Sequence, residues 1–545
     1  MNGDRGKILA DLKAKRAETE RSTLAPNLAT LFDRAVDRHG DKPLWISLPN
    51  GQAMSYRQMG QAVRRCVGAL KALGVKSGTH VGVMLPNVPA MVVSWMALAR
   101  LGAVMIPINT RYTARELDHV LVAGRAELLI VDQAFRHLLE RQGDTLPLPK
   151  ERIVLHGTTD EGFAGEGFAG EWHALLDQAG DPPASRDVQM DSLVTLQFTS
   201  GSTGAAKGCM LTHRYWLTIA VVRASQGPAV DRVLIDMPFH YMGGQWRFLM
   251  TLIMGATAYV APHPSLTQMF DWLVDHKIEF CSVTPALGKQ ALDPRRNMLS
   301  LVWAGTMAMP KDLHGAVEDR LNGVPVREMY GTTETGATIS MPFEVSGMPG
   351  SCGLVAPFRR LRVVDEGRRD VPDGQPGELW VRGPGMMQAY FGDDAATADA
   401  FEQGWFRTGD LFRRDADGFF TMLGRLKDVI RRNGENISAA ELEAVLQSIP
   451  EVVEAAAIPV PDEVRGEEVK VCIRLRDGTS RTQLPPARIF AFCSERLARF
   501  KLPRYIAYYD ELPKTPSGKV AKPQLRAASP DGRAGSFDMV EGTWR

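Results

Sequence analysis

Residues 196–208 read LQFTSGSTGAAKG, gathering hydroxyls, glycines and one lysine into a segment too polar and too flexible to be selected for packing. An apolar run at 193–198 predicts a buried strand before it, and Thr212 followed by HRYWLTIAVV predicts an N-cap opening an apolar-faced helix after it. The segment is therefore expected as a loop between strand and helix. Gly201, Gly204 and Gly208 let the backbone turn its N–H groups toward an anion, while Thr199, Ser200, Ser202 and Thr203 add hydroxyl donors and Lys207 a positive charge. That is the composition of a phosphate cradle. A Walker loop needs glycine before its lysine and a hydroxyl after it; here Ala206 precedes Lys207 and Gly208 follows, so that motif is excluded. Standing alone, the segment is equally compatible with an ordinary surface loop.

Outward from the cradle the chain alternates. Residues 28–39 and 55–73 have helical apolar spacing, then strand 80–85, helix 88–101, strand 103–108, helix 114–123 and strand 127–132 follow in turn. On the other side, strands are expected at 233–237, 257–260, 279–283, 299–304 and 326–329, separated by helical stretches. Such alternation predicts an α/β fold with parallel strands and crossover helices. From 350 to 420 short strands and turns predict a smaller β-rich subdomain. Residues 424–436, GRLKDVIRRNGEN, read as a polar joint. Beyond it a helix (439–448), two strands (454–458, 469–475), a helix (485–497) and a basic loop (513–522) suffice for a small separate domain. Residues 157–170, with their repeated GFAGE, read as an exposed loop, and residues 529–545 carry no reading.

The 545 residues allow several domain-sized units. Charge is balanced, 64 basic against 63 acidic residues, which offers no footprint for nucleic acid. Six cysteines without CxxC pairs disfavour a zinc site or a disulfide framework and read as buried free thiols. The charged N-terminal stretch lacks the apolar centre of a secretory signal, and no apolar run reaches the roughly 18 to 20 residues of a membrane span. A cytoplasmic protein is expected. Its oligomeric state, a homodimer included, is left open by the sequence.

Several short motifs carry chemistry only in company. YGTTE at 330–334 offers an aromatic plane in Tyr330, a phosphate contact in Thr333 and an oxygen ligand for magnesium in Glu334, or else simply a capped turn. GWFRTGDL at 404–411 places Asp410 after a glycine turn, where it suits ribose hydroxyls or its own backbone. Arg425 is a candidate second ribose or phosphate contact, or a solvated charge. PKTPSGK at 513–519 sets Lys519 on a loop of the kind that usually leaves a lysine solvated. His240, followed by Gly243 and Gly244, reads either as a satisfied histidine or as part of a pocket wall.

Taken together and in this order, these pieces resemble the adenylate-forming enzymes, the superfamily of acyl-CoA synthetases, firefly luciferase and peptide-synthetase adenylation domains. SYRQM, GAVMIPINTRY, GELWVRGPG and FKLPRYI extend the resemblance over about residues 28–526. It implies a large N-terminal domain over 1–424, with parallel-rich sheets flanked by helices plus the β-rich subdomain. A hinge at 425–428 around Lys427 and a small mobile α+β domain at 429–545 would follow. It further implies that ATP and a carboxylic acid form an acyl-adenylate with loss of pyrophosphate, and that the thiol of CoA captures the acyl group and releases AMP. Lys519 would then bridge carboxylate and α-phosphate, and the cradle with Mg2+ would hold the outer phosphates. Tyr330, Thr333, Glu334, Asp410 and Arg425 would carry adenine, phosphate, metal and ribose roles. In a second pose Gly434 and Glu435 would replace Lys519 and form the pantetheine channel.

The chain departs from the family pattern at Ala206, at Trp303-Ala304-Gly305-Thr306, at Ala389, at Asn433 and at Ala439. None removes a charge, but Trp303 and Ala389 leave room for an enzyme that runs only the thioester-forming half. The stretch PFHYMGG lacks the aspartate that holds an α-amino group, which disfavours amino acids, and the similarity to crotonobetaine/carnitine, aryl and medium-chain acyl-CoA ligases favours CoA over a carrier protein. His240 would be a catalytic candidate and Gly305 a nucleotide contact, and with His240 the small residues Gly243, Gly244, Gly305, Gly331, Gly336 and Ala337 would line an acyl pocket wide enough for a bulky or ring-containing acid.

Overall fold

In the computed structural model the described residues are 2–48, 50–140, 146–157, 167–180, 188–199, 206–346, 348–432, 435–462, 465–497, 499–515, 518–529 and 531–545. Two units are formed, one of Met1–Arg360 and Val381–Phe406, the other of Leu361–Trp380 and Arg407–Arg545.

The first unit is built on two sheets. In the first the spatial order is Gly170–Glu171, Ile153–His156, Leu128–Asp132, His80–Met84, Val104–Pro107, Leu193–Thr199 and Lys207–Thr212, parallel except for the final hairpin. The second runs Leu354–Val355, Gly336–Ser340, Val326–Thr332, Trp303–Thr306, Phe280–Ser282, Arg232–Ile235, Thr257–Val260, Pro43–Ser47 and Ala53–Ser55. Its middle is parallel and its two ends are antiparallel. The alternation in the sequence produces this arrangement, because each crossover helix buries an apolar stripe on a sheet face. Helix Tyr56–Ala72 begins with a reciprocal cap between Ser55 and Gln58, and Ala114–Ala123 with the same device between Thr113 and Glu116. Helix Pro89–Leu101, apolar all round, is buried all round.

Helix Asn2–Arg21, for which sequence gave no reading, lacks an apolar stripe and is held instead by polar contacts. Lys15 pairs with Glu344 at 3.0 Å, Arg16 donates to the Arg359 carbonyl at 2.8 Å, and Glu20 accepts from the Phe358 N–H at 2.9 Å.

The second unit contains a small sheet (Arg360–Val364, Pro376–Arg382, Trp405–Arg414, Phe420–Arg425), whose last two strands pair antiparallel, and an α+β portion. In the latter, Val452–Asp462 and Gly466–Leu475 form a long antiparallel pair, Tyr505–Tyr508 adds in parallel, and helices Ala439–Gln447 and Pro486–Ser494 share its core. The terminal residues extend this sheet through Ser536–Asp538 and Thr543–Trp544. Asp538, fully buried, fixes that extension by accepting from Arg504 at 3.3 Å and Arg545 at 3.0 Å. All six cysteines are buried.

Candidate active site

The cradle's flanks differ from the sequence expectation. Strand Leu193–Thr199 pairs antiparallel with Lys207–Thr212, so the motif joins two strands, and the helix His213–Ser225 starts one strand later. Thr212 does cap it, accepting from the Tyr215 N–H at 3.3 Å. The extra strand is held by partners on both edges, which local sequence does not show: residues 388–391 run beside it, with Met210 N–H donating to the Ala389 carbonyl at 3.0 Å and Phe391 N–H to the Gly208 carbonyl at 2.8 Å. Ser200, Gly201, Ser202, Thr203 and Gly204 lie outside the described residues.

Lys207 on the second flank faces an aromatic ring and a carboxylate from residues 390–393. Lys207 Nζ stands 5.2 Å from the centroid of the Tyr390 ring and 3.9 Å from Asp393 Oδ2. The Tyr390 hydroxyl donates to Glu334 Oε1 at 3.1 Å, and the Glu334 carbonyl accepts from Met387 N–H at 2.8 Å. Burial first, and the Glu334 charge second, push the Tyr390 phenol far up, so it stays protonated and able to donate. Glu334 and Thr333 are half-buried, on the turn after strand Val326–Thr332, whereas Tyr330 on that strand is buried. Gly331 is fixed by close approach: a Cβ there would collide with the Gly336 carbonyl oxygen across the hairpin.

His240 lies in a turn tied down by buried amides. Its carbonyl accepts from Gln197 Nε2 at 2.8 Å, so the cradle strand itself holds the turn. Asn87 accepts from the Phe239 N–H at 3.1 Å, and Gln245 donates to the Phe239 carbonyl at 2.7 Å. The His240 ring is buried with Nε2 unpaired among the described residues, and burial, then Arg111, pushes its pKa down to about 3. It is therefore a neutral imidazole. Gly244 permits the turn, since a Cβ would lie 2.8 Å from the Met237 carbonyl oxygen; at Gly305 one would lie 2.6 Å from Met329 Cε. Trp303 is buried, its ring 4.3 Å from that of Phe280.

In the second unit Asp410 and Arg425 are register partners on neighbouring strands, with Arg425 Nε 3.0 Å from Asp410 Oδ1. Asp410 is 1% exposed. Near Lys519, Thr515 N–H donates to the Lys519 carbonyl at 2.7 Å, and Gly518 sits at φ +81°. Lys519 as a residue is exposed, yet its ammonium is held below the usual lysine range, by desolvation first and Arg425 second, with Asp410 opposing. Its tip thus lies within electrostatic reach of that pair. Lys427 falls in the single turn Leu426–Asp428; Gly434 and the Glu435 side chain lie outside the described residues. Among the described residues no cluster of three or more His, Cys, Asp or Glu could hold a metal.

Sequence reading missed Tyr390, Asp393 and Gln197. Tyr390 stood beside a noted departure but 56 residues from Glu334. Gln197, an amide inside an apolar strand, was the one legible signal, because such a group must find a buried partner.

A fold of this kind, with paired carboxylate and cationic groups in each unit, is of the class that suits a nucleotide-using enzyme. The chain belongs to the AMP-binding enzyme family: that family matches residues 32–391, and the AMP-binding enzyme C-terminal domain matches 441–519. Among its relatives, an indoleacetate–CoA ligase of Aromatoleum aromaticum is 32% identical over 506 residues, covering 90% of this chain and 96% of that protein. A long-chain-fatty-acid–CoA ligase of Escherichia coli is 28% identical over 551 residues, covering 92% and 94%. The solved structure of the anthranilate CoA ligase AuaEII with anthranoyl-AMP superposes with a TM-score of 0.82 at 26% identity, covering 94% and 98%. This chain is accordingly an AMP-forming acid–thiol ligase. No helix among its described residues is long and apolar enough to cross a membrane.

Proposed function

We propose that the protein activates a bulky or ring-containing carboxylic acid as its acyl-adenylate and transfers the acyl group to CoA. The observation that carries this reading is the Lys519 ammonium in reach of the Asp410–Arg425 pair. The first half-reaction brings a carboxylate against a phosphate, and two anions meet only where positive charge is placed in advance. Lys519 is assigned that task, Asp410 and Arg425 hold the ribose hydroxyls, Tyr330 stacks on adenine and Thr333 contacts phosphate. Lys207 and the cradle hold the outer phosphates that leave as pyrophosphate. Mg2+ fits the donor set of one carboxylate, Glu334, completed by phosphate oxygens and water, and supplies charge neutralisation when bound. In the second half the CoA thiol attacks the acyl carbon and AMP leaves; a turn at Lys427 that swings residues 429–545 is assigned to the change between halves, with Gly434 and Glu435 lining the thiol's path.

His240, neutral and buried, suits a wall of the acyl pocket better than proton transfer, since it gains no charge near neutral pH. Gly243, Gly244, Gly305, Gly331 and Ala337 complete that wall. An enzyme restricted to the thioester-forming half draws little support from Ala389, whose carbonyl keeps its bond to Met210 despite the added methyl. Pyrophosphate release and thioester mass, measured with free acids and separately with synthetic adenylates plus CoA, test both readings. Thioester from adenylate but no pyrophosphate from any acid would favour the restricted one. Preference for linear over ring-containing acids would refute the substrate class.

A further inference from the structure

Two arginines are buried beside the segments assigned to the acyl group. Arg223 on helix His213–Ser225 is 3% exposed and Arg247 on helix Met242–Met254 is 4% exposed. Their guanidinium carbons lie 5.1 and 4.7 Å from the Trp246 ring, so one indole faces two cations. Arg223 Nη1 donates to Gln226 Oε1 at 3.1 Å and Arg247 Nη1 to the Gly243 carbonyl at 2.8 Å, both neutral acceptors. Among the described residues neither Nε has a partner and neither guanidinium forms an ion pair. The carboxylate whose field reaches Arg247 is Asp236, and its own Oδ1 is buried without a partner.

Arg359 shows what a purely structural buried arginine looks like in this chain. It spends its donors on the carbonyls of Thr335, Phe358, Pro384 and Gly385. The Arg223–Arg247 pair is not closed in that way, and mutual proximity compounds burial: Arg223 is pushed down to about 9 by desolvation, then by Arg247. Two buried cations against one carboxylate, Asp236, leave positive charge in excess, which is expensive to bury and which an arriving anion relieves.

The pair also adjoins the acyl segments. A Cβ on Gly243 would lie 3.1 Å from Arg247 Nη1, and one on Gly305 would lie 3.6 Å from Phe280, whose ring is 6.5 Å from that of Trp246. Gln226, the partner of Arg223, also hydrogen-bonds Ser340, on the strand that carries Ala337.

We propose that Arg223 and Arg247 form an anion-binding subsite at the far end of the acyl pocket, selecting acids that carry a second carboxylate remote from the one adenylated. This rests on the acyl-pocket assignment of Gly243, Gly305 and Ala337. A hydrogen bond between charged partners at a dry site is worth roughly 10- to 100-fold in affinity, which here enters through KM for the acid.

The test compares phenylacetate, hydrocinnamate and indoleacetate with their ring-carboxylated analogues in acid-dependent pyrophosphate release and CoA-thioester formation. Wild-type enzyme is expected to favour the dicarboxylates by at least about 10-fold in kcat/KM. Arg223→Met and Arg247→Met should collapse that ratio, and Arg247→Lys should restore part of it. Thermal unfolding and AMP binding establish that the variants are folded, and the wild-type ratio stands even if they are not. Turnover of the monocarboxylates with no preference for their analogues overturns the subsite alone. Absence of turnover with every acid in the series overturns the acyl-pocket assignment together with it.

Discussion

Replacing Tyr390 by phenylalanine deletes one hydroxyl and leaves the ring beneath Lys207 in place. What is lost is the 3.1 Å bond from the phenol to Glu334 Oε1. A hydrogen bond to a charged group is worth about 1.5–3 kcal/mol, and because Glu334 is half-buried, water recovers part of it, leaving about 1–2 kcal/mol. That corresponds to a loss of roughly 5- to 30-fold in kcat/KM for ATP. Tyr390→Ala also removes the cation–π contact to Lys207, for a further loss of about two- to fivefold. Acid-dependent exchange of pyrophosphate into ATP, measured over a range of Mg2+ concentrations, reads the effect, and added Mg2+ should recover part of the Tyr390→Phe loss. Thioester formation from a synthetic adenylate should hardly change, since pyrophosphate and its metal have left by then. Phenylalanine within about twofold of wild type, with alanine alone defective, would show that Tyr390 acts by packing and that Glu334 does not need its hydroxyl.

Lys519→Ala should cut adenylate formation by about 10²- to 10³-fold while sparing thioester formation from the adenylate, checked by assaying the halves separately. Because the folded environment lowers the Lys519 pKa, its charge is lost as pH rises through a value below 10.5; the pyrophosphate-exchange rate should fall on that limb, and Lys519→Arg, which keeps its charge, should flatten it. Gly331→Ala should destabilise the first unit by about 1–3 kcal/mol in urea titration, because the hairpin must open to admit the methyl group. His213 and His240 are pushed down to about 4 and about 3 by burial, so below 6.5 the unfolded chain binds protons that the folded chain refuses. Stability should be full above that pH and fall as the pH drops toward those values, by up to about 1.4 kcal/mol per pH unit for each ring, with His213→Asn reducing the slope.

His213 also shows where sequence reading stops. Its place after a capping threonine was legible, but not that the Leu28 N–H donates to its Nδ1 at 3.1 Å across 185 residues, a bond that demands an unprotonated nitrogen. The charged positions could be nominated from sequence because the chemistry proposed for them restricts residue type: few side chains other than lysine deliver mobile positive charge from a glycine turn, and few other than aspartate grip two hydroxyls. The crossover elements could be read because burial imposes a period. Neither constraint acts on helix Asn2–Arg21, polar on every side, or on the short terminal strands, whose anchor Asp538 makes sense only opposite Arg504. The same reasoning explains why the acyl end was read as merely roomy. The glycines were read as missing volume, yet neighbouring atoms close the space at Gly244, Gly305 and Gly331, whereas Arg223 and Arg247, on helices that otherwise look like core, declare their charge only when their partners are counted. On that accounting the specificity of this ligase lies in two buried cations and not in open space at its glycines.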